Sequence, residues 1–546
     1  MTRRRHRPRT FLHALGLLFL AVSCMAAVCT QASAHEIHYR LQPGDTLIGL
    51  GKRVLVDPRD WVVLQRLNRI KDPYRMPTGS ILRIPVELVR PEARTAEVVA
   101  VVGEARVNGV AATAGETIAA GSRLETGADG HIVLRLPDGS RLALPAHSQM
   151  RIDALRSVRG LDGLDVELGL DHGRVESDVP PERGPAARYR VDTPTAVIGV
   201  RGTEFRVGAD PEAGTSRAEV TRGRVEVQGG EARHGAPVRK VAAGYGLVVG
   251  RDAMLSMPLR LLPAPPTDGL PTLFEEPLLR VPLPDMDDAV AWRVQVFTGE
   301  PDAPALFDER VTETTARIAR LTDGDYVLRL RAIDRHGLEG LDAQHAFRLK
   351  ARPEPPFLAA PIDDGKVIAG DVAFRWAQAP EAARYRFQLG NGQDFDAALV
   401  VDELIEGSSF GIALAPGRYR WRMASLRADG DVGPWSTAAT FEVRPLPTTP
   451  QPPAVGEDAL DFRWSGEPGQ RFEYQFADDE SFAEPLAQAV VNEPQASLPL
   501  PVPGSYWMRV RTIDPDGFVS PWSGAQKVVV PAGYPWWMLP LLLLAL

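Results

Sequence analysis

Arg201 and Glu204 flank Gly202 in the stretch TPTAVIGVRGTEF, residues 193–205, placing opposite charges in an otherwise apolar run. Buried charges are normally paired, so the spacing predicts that the two side chains pair, or bond backbone carbonyls, and hold a bulge at the glycine. Other chemistry-bearing patterns are weaker. Gly407-Ser408-Ser409-Phe410-Gly411 has the G-x-S-x-G spacing, but a nucleophile elbow needs strand, sharp turn and helix, and no helical pattern follows. His35 and His38 could hold copper together with a freed amino group, with nothing else in support. His131, His147, His172, His234, His336 and His345 are scattered without metal-ligand spacing. The chain reads as non-enzymatic, with no catalytic residues, no metal and no cofactor.

The first nine residues carry five arginines, and an apolar run from Phe11 to Val28 leads to Ala32-Ser33-Ala34. This is the pattern of a cleaved signal peptide, residues 1–34. The Arg-Arg pairs lack the rest of a twin-arginine motif, and Ala21-Val22-Ser23 is a poor lipoprotein site. Cleavage would remove Cys24 and Cys29, the only cysteines, leaving an exported chain that must be stabilised by hydrophobic cores instead of disulfides. The net charge is −8, and −13 without those five arginines. An acidic chain of this kind is not a nucleic-acid binder.

The elements around Arg201 are strands. From Val191 to Val207 apolar residues occupy both parities, as in a strand buried on both faces. Pro194 fits only near its start, and Gly202 signals a bulge or a close backbone approach. Upstream, Ile132, Leu134 and Leu136 alternate into Asp138-Gly139 while Leu142 and Leu144 alternate out, a hairpin. Arg222-Gly223 is expected to join Val220 to Val225 and Val227 in the same way. Thr193, Pro194, Val200, Arg201, Gly202, Thr203, Glu204 and Phe205, with the turn-rich run Val101–Pro145 and AEVTRGRVEVQG at residues 218–229, resemble the signature of the FecR domain. The resemblance covers residues 95–253 and implies an all-β domain in which the motif is structural.

Residues 35–90 read as strand, helix, helix, strand. Pro43-Gly44 turns into a first helix capped by Asp45 or Thr46; Asp57-Pro58 starts a second, with Trp61, Leu64 and Leu67 on one face. Tyr39, Gly44-Asp45-Thr46-Leu47, Trp61, Leu64, Asn68, Gly79 and Ile84-Pro85 resemble LysM, although Thr78 replaces the usual proline before the glycine. The resemblance implies binding of peptidoglycan or a related N-acetylglucosamine polymer, in a groove between Gly44, Asp45, Thr46 and Leu47 on one side and Asn68, Arg69 and Ile70 on the other. Asp45 and Asn68 could equally be helix caps.

Prolines mark a linker at residues 254–272, and a threefold repeat follows at residues 273–352, 355–445 and 450–531. Gln295, Gln388 and Gln475 each precede Tyr326, Tyr419 and Tyr506 by 31 residues. Each tyrosine stands two residues after a glycine, Gly324, Gly417 or Gly504. Such spacing indicates tandem domains. The strands WRVQVF, YRFQLG, FEYQFA and their partners place alternating arginines toward water, with Trp435-Ser436 and Trp522-Ser523 closing the last hairpins. The repeats resemble fibronectin type III or related immunoglobulin-like sandwiches.

The last stretch, YPWWMLPLLLLAL at residues 534–546, is apolar throughout. As a helix it would span about 20 Å against a hydrocarbon core of about 30 Å, so it reads as a membrane-contacting tail or part of a longer span. The fold class expected is therefore mainly β and multidomain: a small βααβ module, an all-β FecR-like domain and three β-sandwich repeats. The expected function is that of a periplasmic cell-envelope scaffold in a Gram-negative bacterium, binding peptidoglycan at one end and an envelope protein at the other. The alternative is an envelope signalling or regulatory component of FecR type, acting with an outer-membrane receptor or a sigma/anti-sigma system. FecR regulators carry a cytoplasmic segment and a membrane span before the domain, where this chain has a signal peptide and LysM-like residues, so the scaffold is the first expectation.

Overall fold

The computed structural model describes residues 36–532 except 182, 183, 185, 231–236, 301, 393, 394 and 396. The expected signal peptide, His35 and the apolar tail lie outside the described residues. The protein is mainly β, and among the described residues no helix is long and apolar enough to cross a membrane. The chain forms two compact units that meet in sequence at Leu349 and Lys350.

The first unit begins with the βααβ module. Strand Glu36–Arg40 pairs antiparallel with Ile81–Pro85, and helices Leu47–Val54 and Trp61–Leu67 lie between them. Thr46 is the cap of the first helix, its Oγ1 accepting from Gly49 N at 3.0 Å. Pro58–Asp60 is a separate 3-10 turn, with Asp57 bonding Arg59 N. Leu47, Leu50, Val54, Leu64, Leu82 and Ile84 form the core of the module, which continues into Val158, Leu161 and Ala186 of the following domain.

That domain is a closed all-β body. Its organising strand is Leu161–Asp178, which pairs with Ser148–Val158 along its first part and with Glu204–Asp210 along its second. The hairpin around Asp138-Gly139 forms as expected, with Ile132 opposite Leu144 and Leu134 opposite Leu142, all buried. The stretch from Val191 to Val207 departs from expectation. It is three strand segments, Arg188–Asp192, Ala196–Val200 and Glu204–Asp210, separated by turns at residues 193–195 and 201–203. The mixed parity of its apolar residues arises because the chain changes direction between segments: Arg188–Asp192 buries its odd positions and Ala196–Val200 its even ones, while Phe205 to Ala209 are all buried.

The Arg222-Gly223 hairpin also does not form. Thr215–Arg222 pairs with Glu204–Asp210 and Tyr245–Val249, whereas Arg224–Gly229 pairs with Ala196–Val200 and Val238–Ala242. At Gly223 the chain passes from one sheet to another. Its φ is +84°, and a Cβ there would fall 2.7 Å from Gly202 O. Two glycine corners therefore meet where the sheets cross, a close approach that side chains would block.

The first sandwich completes the unit. Ala289–Thr298, Phe307–Val311, Gly324–Asp334 and Ala343–Leu349 form its larger sheet, facing Leu279–Pro282 paired with Thr315–Ile318. The second unit holds two more sandwiches of the same plan. In one, Gly370–Trp376 lies between Leu358–Ala360 and Ser409–Leu414, opposite a sheet built on Arg384–Gly390 and Gly417–Leu426. In the other, Ala459–Arg463 and Gln495–Pro499 face Arg471–Ala477, Gly504–Ile513 and their neighbours. Phe374, Trp376, Phe462 and Trp464 are buried core aromatics, as expected.

The repeated residues have a common geometry. Tyr326, Tyr419 and Tyr506 each donate to the carbonyl four residues upstream, on Thr322, Ala415 and Val502, at 2.7, 3.1 and 2.7 Å. This is the tyrosine corner of such sandwiches, and the glycine two residues earlier lies against the ring. Gln388 and Gln475 accept from Arg422 Nε and Arg509 Nε on the neighbouring strand. The arginines, expected to face water, instead cover aromatic faces: Arg422 lies 4.4 Å from the Trp435 ring centroid and Arg509 4.8 Å from that of Trp522. Ser436 and Ser523 accept from Met423 N and Val510 N and return backbone bonds to the same residues. These tryptophans are thus packed parts of the sandwiches.

Candidate functional site

The residues assigned by resemblance to a glycan groove divide into internally bonded and exposed groups. Asp45 Oδ2 accepts from Tyr39 OH at 2.7 Å and Gln42 N at 2.8 Å, and its Oδ1 lies 3.3 Å from Arg53. Burial, together with the neighbouring Asp45 carboxylate, raises the Tyr39 phenol above its usual range. Asn68 donates to Leu64 O and Arg83 O and accepts from Arg83 N at 2.7 Å, fastening the end of the second helix to the last strand. Leu47 is buried, Ile70 packs on the module core, and Gly44 turns the chain at φ +87°. Gly44 and Arg69 are the exposed members, Arg69 at φ +51° just after the helix.

The motif at residues 193–205 is a pair of corners. Thr193 Oγ1 bonds both N and O of Ala196 and accepts from Ser216 Oγ at 2.8 Å, pinning the turn that contains Pro194. Thr203 is buried and donates to Arg224 O at 3.1 Å. Phe205 packs edge-on against Tyr189 at 5.9 Å, and Val200 is buried beside them. Gly202 has φ +64°, and a Cβ would approach Pro181 Cα to 2.6 Å, the close approach expected. The expected role of Arg201 and Glu204 is corrected. Glu204 is 3.4 Å from Arg222, beside a register shift between Glu204 and Phe205, and Arg201 lines an open cleft.

This cleft, of about 1010 Å3, runs between the βααβ module and the FecR-like domain. Arg40, Arg69, Arg83 and His38 line its module side, and Arg201 and Pro181 its opposite side. A second cleft of about 490 Å3 shares His38 and Arg201 and continues past Arg188, Arg224 and Lys240. Motif arithmetic alone could not assemble this group, because its members come from four separated segments.

A different cluster joins the FecR-like domain to the first sandwich. Arg331 bonds Glu176, Glu339 and Asp342; Arg174 bonds Glu339 and Asp308 at 2.9 and 2.8 Å; Arg206 bonds the carbonyls of Glu339 and Gly340 and reaches Asp342. Burial opposes charge on Glu176 and Glu339, yet the surrounding arginines hold both carboxyls well below the usual range. Burial pushes Glu219 the other way, to about 7.

Residues 122–226 match the FecR protein family, so the corners at Gly202 and Gly223 belong to a FecR domain. No curated protein matches the chain. Among solved structures, a protein assigned as an anti-sigma factor from Parabacteroides distasonis is similar at 21% identity and TM-score 0.21, over 25% of this chain and 59% of that one. The FN1–FN3 domains of chicken CNTN1 are similar at 14% identity and TM-score 0.20, over 50% of this chain and 99% of theirs. The fibronectin(III)-like modules of Clostridium thermocellum CbhA are similar at 16% identity and TM-score 0.20, over 32% and 94% respectively. The chain is a mainly β, multidomain protein that contains a FecR domain and three β-sandwiches.

Proposed function

We propose that this protein is a non-enzymatic, exported regulatory component of the cell envelope, in which the FecR domain receives a signal or partner and the sandwiches hold its geometry. The observation that carries this reading is the FecR match over residues 122–226, the part of the chain whose motif opens onto the Arg201 cleft. The buried ion network supports it, since it ties the FecR domain to the first sandwich. Binding in place of catalysis is supported by the surroundings of Ser409: it begins strand Ser409–Leu414 opposite Arg375, without the turn and helix of a nucleophile elbow. The test is deletion of the gene in its own host with transcript profiling. A regulon under an extracytoplasmic sigma factor is expected to change several-fold and to return on complementation; an unchanged profile would count against the reading.

The folded βααβ module favours a second reading, that of an envelope scaffold anchored in the periplasm by weak binding to peptidoglycan, with an envelope protein as cargo. It is tested by sedimentation with purified sacculi. Because Asp45 and Asn68 hold the module together, Arg69 is the informative position to substitute.

A further inference from the structure

Among the described residues, the larger cleft is lined by four arginines and a histidine and by no carboxylate, in a chain of net charge −8. The cations converge from separate elements. His38 and Arg83 are register partners on the outward face of the two-stranded sheet, Arg40 lies two residues further along the same face, Arg69 follows the second helix, and Arg201 comes from the FecR domain. Arg40 is steadied by Gly79 O at 3.0 Å, and Arg83 by Leu67 O at 2.9 Å and by Glu36 at 3.7 Å at the edge of the same sheet face; donors remain on each guanidinium for a ligand. Neither Arg69 nor Arg201 has a side-chain partner among the described residues. Arg69 also holds a positive φ, where glycine would be the unstrained choice. A planar guanidinium fork is suited to carboxylate and phosphate groups.

We propose that this cleft binds an oligoanionic ligand of small-molecule size, its carboxylate or phosphate oxyanions held between Arg40, Arg69 and Arg83 on one wall and Arg201 on the other. The site spans two domains that share a hydrophobic core, so occupancy is read by both. It goes beyond the regulatory reading by giving the FecR domain a ligand chemistry.

Calorimetric titration of the purified chain tests this with three probes: a disaccharide-tetrapeptide muropeptide carrying free carboxylates, inorganic tripolyphosphate, and neutral chitotetraose. At least one anionic probe is expected to bind with Kd below about 1 mM, more weakly as salt is added. Which of the two binds distinguishes a carboxylate from a phosphate source. Binding should weaken roughly tenfold or more in Arg83→Gln/Arg201→Gln, on the order of 1.4 kcal/mol or above. Arg69→Gly removes a charge while easing the backbone, so it should weaken binding with Tm unchanged or raised; it decides the matter if the double variant does not fold. The proposal is overturned if neither anionic probe binds better than chitotetraose, or if binding is the same in the folded variants.

Discussion

Arg331 Nη1 donates to Glu176 Oε1 at 2.7 Å, joining a strand of the first sandwich to the organising strand of the FecR domain. Arg331 is only 2% exposed and also serves Glu339 and Asp342. Arg331→Met would leave these carboxylates desolvated without their central cation, a loss of about 3–5 kcal/mol. Denaturant titration of the whole protein should show it in the transition of the first unit. A double-mutant cycle with Glu176→Gln should be non-additive by about 0.5–3 kcal/mol.

Glu219 gives this region an unusual pH dependence. Its pKa is raised to about 7 by burial, against about 4.3 in an unfolded chain. The folded state therefore holds a proton that the unfolded state releases, and stability from this group is present below about pH 4.3 and lost as pH rises through 7. Glu219→Gln should remove that slope and raise Tm at pH 8. Thermal melts from pH 5 to 8 check this; an identical slope in the variant would remove Glu219 as the cause.

His131 acts with the opposite sign. Burial lowers its pKa to about 4, and its Nδ1 has no hydrogen-bond partner among the described residues. The unfolded chain takes up a proton near pH 6.5 that the folded chain accepts only near 4, so stability falls as pH drops across that interval. His131→Met, close in volume, should flatten this acid limb while leaving stability at pH 8 within about 1.5 kcal/mol.

The tyrosine corner is the simplest element to probe. Tyr506→Phe deletes the 2.7 Å bond to Val502 O and keeps the ring stacked on Phe476 at 5.2 Å. A loss of about 1 kcal/mol is expected, or roughly 4–8 °C in the melting of a domain of this size. Calorimetry should place the shift in one transition of the second unit.

Local pattern carried much of the fold. Alternation located the Ile132–Leu144 hairpin, and the Gln–Tyr spacing located the sandwiches, because each depends on residues near in sequence. Three features were hidden for a common physical reason: their partners are remote. Gly223 looks like a hairpin glycine, and only the separate pairings of the strands around it show a corner between sheets. Arg329 and Arg331 alternate as solvent-facing residues do, yet Glu176, some 150 residues earlier, meets both. Arg201 read as half of an ion pair with Glu204, while the arginines beside it in space belong to the βααβ module. Asp45 and Asn68 carried the right chemistry for sugar, and the hydrogen bonds that engage them became visible only with the strands in place.

The shared core of Ile37, Leu55 and Val89 with Val158, Leu161 and Ala186 leaves the small module without a swivel. A tug on the module enters the FecR domain at the Val158–Leu161 tip, where the two longest paired strands of the domain turn back on each other. A pull on the module would therefore load these two paired strands directly, without a linker to take up the slack.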